Sequence, residues 1–173
     1  MVCVLAGESP EGVAGNAMFD DQIFTGVPEA GSADRTRLID FCMANKSRVL
    51  SAIPWVAAEI ADHAGFEVLF EVLRHHGGMT CYVPHDIRRC RTKFGLDLPE
   101  KLHDRFIVLS DSNGCINVPS AWGVFLAIRR VAICMALEDG KPNKDIARCF
   151  GVTDRFLRSL RSQRRAANPQ PTV

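Results

Sequence analysis

The sequence predicts a mainly α-helical protein with one or two short strands and a C-terminal group of three helices. Apolar residues recur with helical spacing over most of the chain, whereas only two short segments, both ending in Val-Pro, favour extended backbone. The chain has 173 residues, of which 47% are hydrophobic. This length allows one ordinary domain or two small ones with a substantial core.

Residues 1–33 are rich in Gly, Ala and Pro and lack a sustained hydrophobic period, so we expect a flexible acidic arm there. The arm also lacks the basic region that opens a secretory signal. The longest apolar stretch, residues 121–137, is interrupted by Arg129 and Arg130 and is too short to span a bilayer. We therefore expect a cytoplasmic protein without a membrane partner.

Residues 34–84 are predicted to form a helical region that ends in a strand. After a first helical segment, Ser51 is a candidate N-cap for a helix that carries Pro54 in its first turn and stops at Gly65. The amphipathic segment FEVLFEVLRHH then predicts a second helix, which ends at a pair of glycines. MTCYVP reads as a short strand, because Pro84 disfavours helical backbone in the residue before it.

Residues 85–119 are predicted to be an insert or linker. They contain a basic helical stretch, HDIRRCRTKFG, a second helical stretch, PEKLHDRFIVL, a turn at SDSNG and an extended segment, CINVP. CYVP and INVP share a Val-Pro ending. Pairing of two strands is one interpretation of this likeness, and chance recurrence of two residues is the other.

Residues 120–166 predict three helices, followed by a disordered tail at residues 167–173. Ser120 caps a long apolar helix that runs to about Glu138. The segment NKDIARCFGVTDRFLRSLRSQRR then predicts a helix, a tight turn and a second helix. Ala147 is small where the two helices approach, Gly151 permits left-handed backbone in the turn, and Thr153 is a good N-cap. This spacing is typical of a helix-turn-helix.

The last helix also has the charge and periodicity of a DNA-recognition helix. Although the net charge of the chain is only +1, residues 141–165 carry eight basic residues against Asp145 and Asp154. If Leu157 and Leu160 face inward, the polar residues face outward, and arginine pairs well with guanine in the major groove. We predict base contacts by Thr153, Asp154, Arg155, Arg158 and Ser159, and phosphate contacts by Lys141, Asn143, Lys144, Arg161, Ser162, Arg164 and Arg165. The alternative interpretation is a solvated basic face without a partner.

The middle of the chain, IPWVAAEIADHAGFEVLFEVLRHHGGMTCYVP, resembles the bacteriophage middle-operon regulator (Mor) transcription activator family through Gly77, Gly78, Tyr82, Val83 and Pro84. With DIARCFGVTDRFLRSLRSQRR, the resemblance covers about half of the chain. It implies a homodimer with intertwined helix pairs (a helical dimerisation domain) and strands paired across the two-fold axis.

The resemblance also implies a function. Family members bind double-stranded DNA beside a promoter and contact RNA polymerase, and their strand lies near DNA or the dimer axis, which assigns Thr80 and Tyr82 to that place. The alternative for Tyr82 is a half-buried strand aromatic. The insert at residues 85–119 departs from the family, where this connection is shorter.

Other function classes are less well supported by the residues. Seven widely spaced cysteines favour reduced thiols, and the absence of C-x-x-C or H-x-x-x-H pairs argues against a metal, so we expect no cofactor. Cys81 and His85 lack an orienting third group, so we expect no enzymatic activity and no catalytic residues. A protein-interaction module or inhibitor that reuses a helix-turn-helix fold, and a DNA-binding accessory part of a recombinase, remain alternatives.

Overall fold

The computed structural model describes residues 23–167, with side chains up to residue 163. Over this range the protein is mainly helical and has one small sheet, as the sequence predicts. The elements in chain order are α1 (Ala33–Ala44), α2 (Lys46–Ala52), α3 (Trp55–Ala64), α4 (Phe66–His76), β1 (Thr80–Tyr82), α5 (Ile87–Phe94), α6 (Glu100–Leu109), β2 (Cys115–Asn117), α7 (Ala121–Glu138), α8 (Asn143–Phe150) and α9 (Asp154–Ala167).

The contact between α1 and α4 includes a buried cation. The Arg35 guanidinium donates to Glu71 Oε1 at 2.9 Å and lies 5.1 Å from the ring centroid of Phe70. A buried charge is tolerated only when it is paired and hydrogen-bonded, and both α4 residues supply favourable electrostatic contacts. The arginine therefore fixes the position of α1 on α4.

The structure differs from the sequence prediction at the start of α3. Ser51 is not an N-cap: it lies inside α2, and its hydroxyl donates to the carbonyl of Arg48 at 2.9 Å. Pro54 precedes α3 as the capping residue, and Ile53 before it is extended, with φ −85° and ψ 157°. Steric conflict between a proline ring and the preceding residue explains why the expected helix begins only after Pro54 and not at Ser51.

The two Val-Pro segments pair with each other in an antiparallel sheet. Cys81 lies opposite Ile116, and both side chains are buried. Backbone hydrogen bonds extend the ladder beyond the strands, from Val83 to Gly114 at 2.8 Å and from Gly78 to Val118 at 3.0 Å. The interpretation of two paired strands is therefore correct. The partner of β1 within the chain is β2, a pairing that the resemblance did not imply.

Residues 85–119 are part of the folded body rather than a linker. Cys90 and Phe94 of α5 and Leu102 and Phe106 of α6 belong to the same hydrophobic core as the preceding helices. On the surface, Arg105 Nη2 of α6 lies 2.6 Å from Glu59 Oε1 of α3. The segment that departs from the resembled family thus packs against α3 and α4.

The end of the predicted N-terminal arm is also buried. Ile23 and Phe24 are 4% and 2% exposed. The Phe24 ring packs edge-on against Phe41 at 5.2 Å and lies 5.1 Å from the ring of Phe150. The expectation of a flexible arm is therefore wrong for these two residues. The rest of the arm, residues 1–22, and residues 168–173 of the predicted tail lie outside the described residues.

One cluster of buried apolar residues, from Ile23 to Leu160, joins the C-terminal helices to the rest of the fold. The long helix α7 runs through this core with Phe125, Ile128 and Ala132 fully buried. Within the described part of the chain, no helix is both long and apolar enough to cross a membrane.

Candidate nucleic-acid interface

The turn between α8 and α9 is built from three residues. Gly151 ends α8 with left-handed backbone, φ 57° and ψ 37°, and the Val152 amide donates to the Ala147 carbonyl at 3.1 Å. Thr153 then starts α9, because its Oγ1 accepts a hydrogen bond from the Phe156 amide at 3.2 Å. Glycine adopts this left-handed conformation without the steric cost that a Cβ imposes. The sequence predicts the left-handed backbone at Gly151 and the cap at Thr153, but not the hydrogen bond of the Val152 amide.

Buried side chains hold both helices on α7. Ile146 and Phe150 of α8, and Leu157 and Leu160 of α9, are at most 3% exposed. Arg129 of α7 donates to the carbonyl of Phe150, the last residue of α8, and partial burial lowers the pKa of this arginine. The α8 C-terminus is thus satisfied by a cation, which also interacts favourably with the helix dipole.

The outer face of α9 is polar and basic. With a rotation of 100° per residue, Arg155 and Ser162 lie opposite the two buried leucines. Arg158 and Ser159 lie on either side of Arg155 and Ser162. All four side chains are exposed, and so is that of Arg161. Among the described residues, no carboxylate lies within salt-bridge distance of Arg155 or Arg161. Arg155 and Arg161 therefore present positive charge on this helix without a described carboxylate in salt-bridge contact.

Asp154 holds Arg158 at the start of this face. Its Oδ2 accepts a hydrogen bond from Arg158 Nε at 2.7 Å and another from the same guanidinium's Nη2, while its Oδ1 accepts from Asn143 Nδ2 at 3.0 Å. The hydrogen bond from Asn143, followed by that from Arg158, lowers the pKa of Asp154. Of the predicted DNA contacts, these three residues engage one another, and the carboxylate is placed to orient Arg158.

The other predicted contact residues lie on several elements. Lys141 and Lys144 lie just before α8 and in its first turn, whereas the side chains of Arg164 and Arg165 lie outside the described residues. Thr80 and Tyr82 lie on β1, away from the α8–α9 turn in sequence. Both are exposed, and Thr80 Oγ1 donates to Asn117 Oδ1 at 2.7 Å. Tyr82 is 47% exposed, which agrees with the half-buried strand aromatic of the alternative interpretation and also leaves part of the ring accessible to a partner.

Phe156 is a surface residue that the sequence analysis did not assign. It is 42% exposed on α9, between Arg155 and the buried Leu157. Helical spacing gave no signal of this exposure, because Phe156 is four residues before the buried Leu160 and lies only about 40° from it around the helix. An apolar ring exposed at the edge of the basic face is able to contact a thymine methyl group.

The enzymatic alternative gains no support from the cysteine that it requires. Cys81 is buried in the sheet, and desolvation raises the pKa of its thiol, with a smaller opposing effect from Lys93. An activated cysteine nucleophile needs a lowered pKa. Among the residues that the structure describes, no three His, Cys, Asp or Glu side chains are grouped to hold a metal ion.

Comparison of the chain with protein-family models, curated proteins and solved structures found no match. The resemblance to the middle-operon regulators therefore consists of short motifs in the sequence, such as Gly77, Gly78, Tyr82, Val83 and Pro84.

Proposed function

We propose that the protein is a sequence-specific double-stranded DNA-binding transcription regulator, in which α8 and α9 form a helix-turn-helix and α9 is the recognition helix. The observation that supports this function best is the exposed basic face of α9. It lies opposite Leu157 and Leu160, on a helix that a three-residue turn ties to the core.

The proposed complex places the N-terminal half of α9 in the major groove, where an α-helix fits and base edges are distinguishable. Arg158, held by Asp154, donates paired hydrogen bonds to guanine, and Arg155 lies one turn away on the same face. Thr153 and Ser159 contact neighbouring bases. Phosphates are bound by the flanking set Lys141, Lys144, Arg161, Ser162, Arg164 and Arg165, which fix the register of the helix.

The function is tested by selecting bound sequences from a random duplex pool and measuring affinity for the selected site by fluorescence anisotropy. Arg158→Ala is expected to lower that affinity by about 1–3 kcal/mol, roughly 5- to 150-fold, and to relax preference at one base pair. The control is Arg105→Ala, an arginine on α6 that is ion-paired with Glu59. Absence of binding to any duplex at low salt would contradict the proposed function.

The resemblance to the Mor family extends the proposal to a homodimer that activates transcription through RNA polymerase. A two-fold symmetric dimer binds a palindromic site whose half-sites are about one helical turn apart. A palindrome among the selected sequences therefore supports the dimer, and a single asymmetric site speaks against it.

A protein-interaction module is the second candidate, and one observation favours it. Phe156 is an exposed aromatic residue beside Arg155, and aromatic and arginine side chains are enriched at protein interfaces. The two candidates differ in their response to salt. Binding through phosphates weakens steeply as salt rises, whereas binding through a packed aromatic contact changes little.

A further inference from the structure

A second exposed basic surface lies on α5 and is not used by the proposed helix-turn-helix. The side chains of Arg88, Arg89 and Lys93 are exposed. No carboxylate among the described residues lies within salt-bridge distance of these three cations, whereas Arg91 Nε lies 2.9 Å from Asp97 Oδ1. One helix of eight residues thus carries three cations without a described carboxylate in salt-bridge contact.

The fold of α5 explains why these cations face solvent. Cys90 and Phe94 form its buried side, so Arg89 and Lys93, four residues apart, share an exposed side. Asp86 caps the helix: its Oδ1 accepts backbone amide hydrogen bonds at 2.8 and 3.1 Å, and its charge interacts with Arg88 and Arg89 only beyond salt-bridge distance. Like charges at this spacing destabilise a helix, so the arrangement favours an anionic partner.

The neighbouring strand adds polar and aromatic groups to the same surface. The Lys93 ammonium lies 5.3 Å from the centroid of the Tyr82 ring, which places the end of α5 beside β1. Thr80 is exposed on the same strand, but its hydroxyl already donates to Asn117 Oδ1 at 2.7 Å. Phosphate oxygens in duplex DNA accept hydrogen bonds from arginine, lysine and tyrosine side chains, which are the donors that this surface offers.

We propose that the α5 surface, defined by Arg88, Arg89, Lys93 and Tyr82, binds the phosphate backbone of duplex DNA at a segment other than the one that α9 contacts. This inference rests on the proposed function. Arg89 and Lys93 have Cβ atoms about 5–6 Å apart. Phosphates follow one another about every 3.4 Å along the axis of each strand. Both cations are therefore able to contact phosphates of one strand, adding affinity without reading sequence.

The test compares the double variant Arg89→Gln/Lys93→Gln with a control of equal charge change, Arg37→Gln/Lys46→Gln, whose cations are ion-paired with Asp34 and Asp62. Affinity for a selected and a random duplex is measured over a tenfold range of salt. Each lost phosphate contact reduces the magnitude of the salt slope by about 0.9, so two contacts reduce it by about 1.8. The double variant is then roughly 60-fold weaker at 0.1 M than the wild type, taking about 1 M salt as the point of equal affinity.

The expected result is an equal loss on both duplexes, unchanged base preference, and a melting temperature close to that of the wild type by circular dichroism. A double variant that behaves like its control overturns the inference and leaves the helix-turn-helix proposal standing. If the α5 variant loses binding while Arg158→Ala does not, the α5 inference holds and the recognition role of α9 fails. Binding to phosphatidylserine vesicles but to no duplex, lost in the α5 variant, overturns both in favour of a lipid surface.

Discussion

The burial of Phe24 predicts that the N-terminal end of the described chain contributes strongly to stability. Its side chain is 2% exposed and packs against rings of α1 and α8. Replacing a buried phenylalanine with alanine costs about 3–5 kcal/mol, because apolar contacts are lost and a cavity remains. For a chain of this length, each kcal/mol lowers the melting temperature by about 2–4 °C. Phe24→Ala should therefore lower it by roughly 6–20 °C.

Thermal unfolding followed by circular dichroism measures this loss, with urea unfolding as a second estimate of the free energy. The control is Val108→Ala on α6, where the side chain is 72% exposed and the expected change is within about 0.5 kcal/mol. Phe24→Leu retains an apolar side chain but loses both ring pairs, so its loss should be smaller. If Phe24→Ala melts with the wild type, the packing of this segment against α1 and α8 is refuted.

Two further predictions concern the turn and the base-reading arginine. Gly151→Val should destabilise the protein by about 1–2 kcal/mol or more, because φ is +57° there and a side chain strains left-handed backbone. A steric clash is not the cause, since the atom nearest to a new Cβ is the tip of Arg129 at 3.8 Å. Gly26→Val, with open space and no left-handed backbone, should leave thermal unfolding unchanged, and equal melting of the two variants would contradict the turn. Asp154→Asn should raise affinity for random duplex, since a negative charge is removed, yet lower the preference for the selected site, since Arg158 loses its partner. The pKa of Asp154 is lowered from its ordinary value of 3.8, so its carboxylate is ionised at every pH above that value. Its contribution to orienting Arg158 is lost only when the pH falls through the lowered pKa. Ionisation of Asp154 should therefore cause no change in base preference, measured by anisotropy, from about pH 5 to 8. If Asp154→Asn leaves the base preference unchanged, Asp154 does not orient Arg158.

Local sequence signals were sufficient to predict the bounds of a helix where it has a clear apolar face and a clear end. The segment Phe66–His76 was predicted with its observed bounds, because its amphipathic spacing and the following glycines agree. The α8–α9 turn was predictable for the same reason, since Gly151 and Thr153 act within their own segment. The prediction of Ser51 as an N-cap was wrong, because it considered only the preference of serine for cap positions. Pro54 has the stronger effect, since its ring excludes helical backbone at Ile53 and the next helix begins after it.

Contacts between distant segments were beyond the sequence pattern. Nothing in the composition of the first residues shows that Phe24 meets Phe41 and Phe150, because a single aromatic carries no periodicity. The hydrogen bonds of Asp154 to Asn143 and Arg158 likewise depend on how α8 approaches α9. The sequence predicts Asp154 as a base contact, and the structure shows the two side chains that its carboxylate engages.

The distribution of ion pairs explains why a net charge of +1 is a poor guide to partners. Several cations are neutralised within the fold, as in the pairs Arg105–Glu59, Lys46–Asp62 and Arg35–Glu71. Others, on α9 and α5, have no described carboxylate within salt-bridge distance. A partner responds to the local field, which decays within about 10 Å at 0.1 M salt, and not to the sum over the chain. Acidic residues that pair with cations elsewhere lower the net charge of the chain, but they have little effect on the positive field at α9 and α5. Salt dependence of binding, measured separately for α9 and α5 variants, therefore reports on function more directly than the overall charge does.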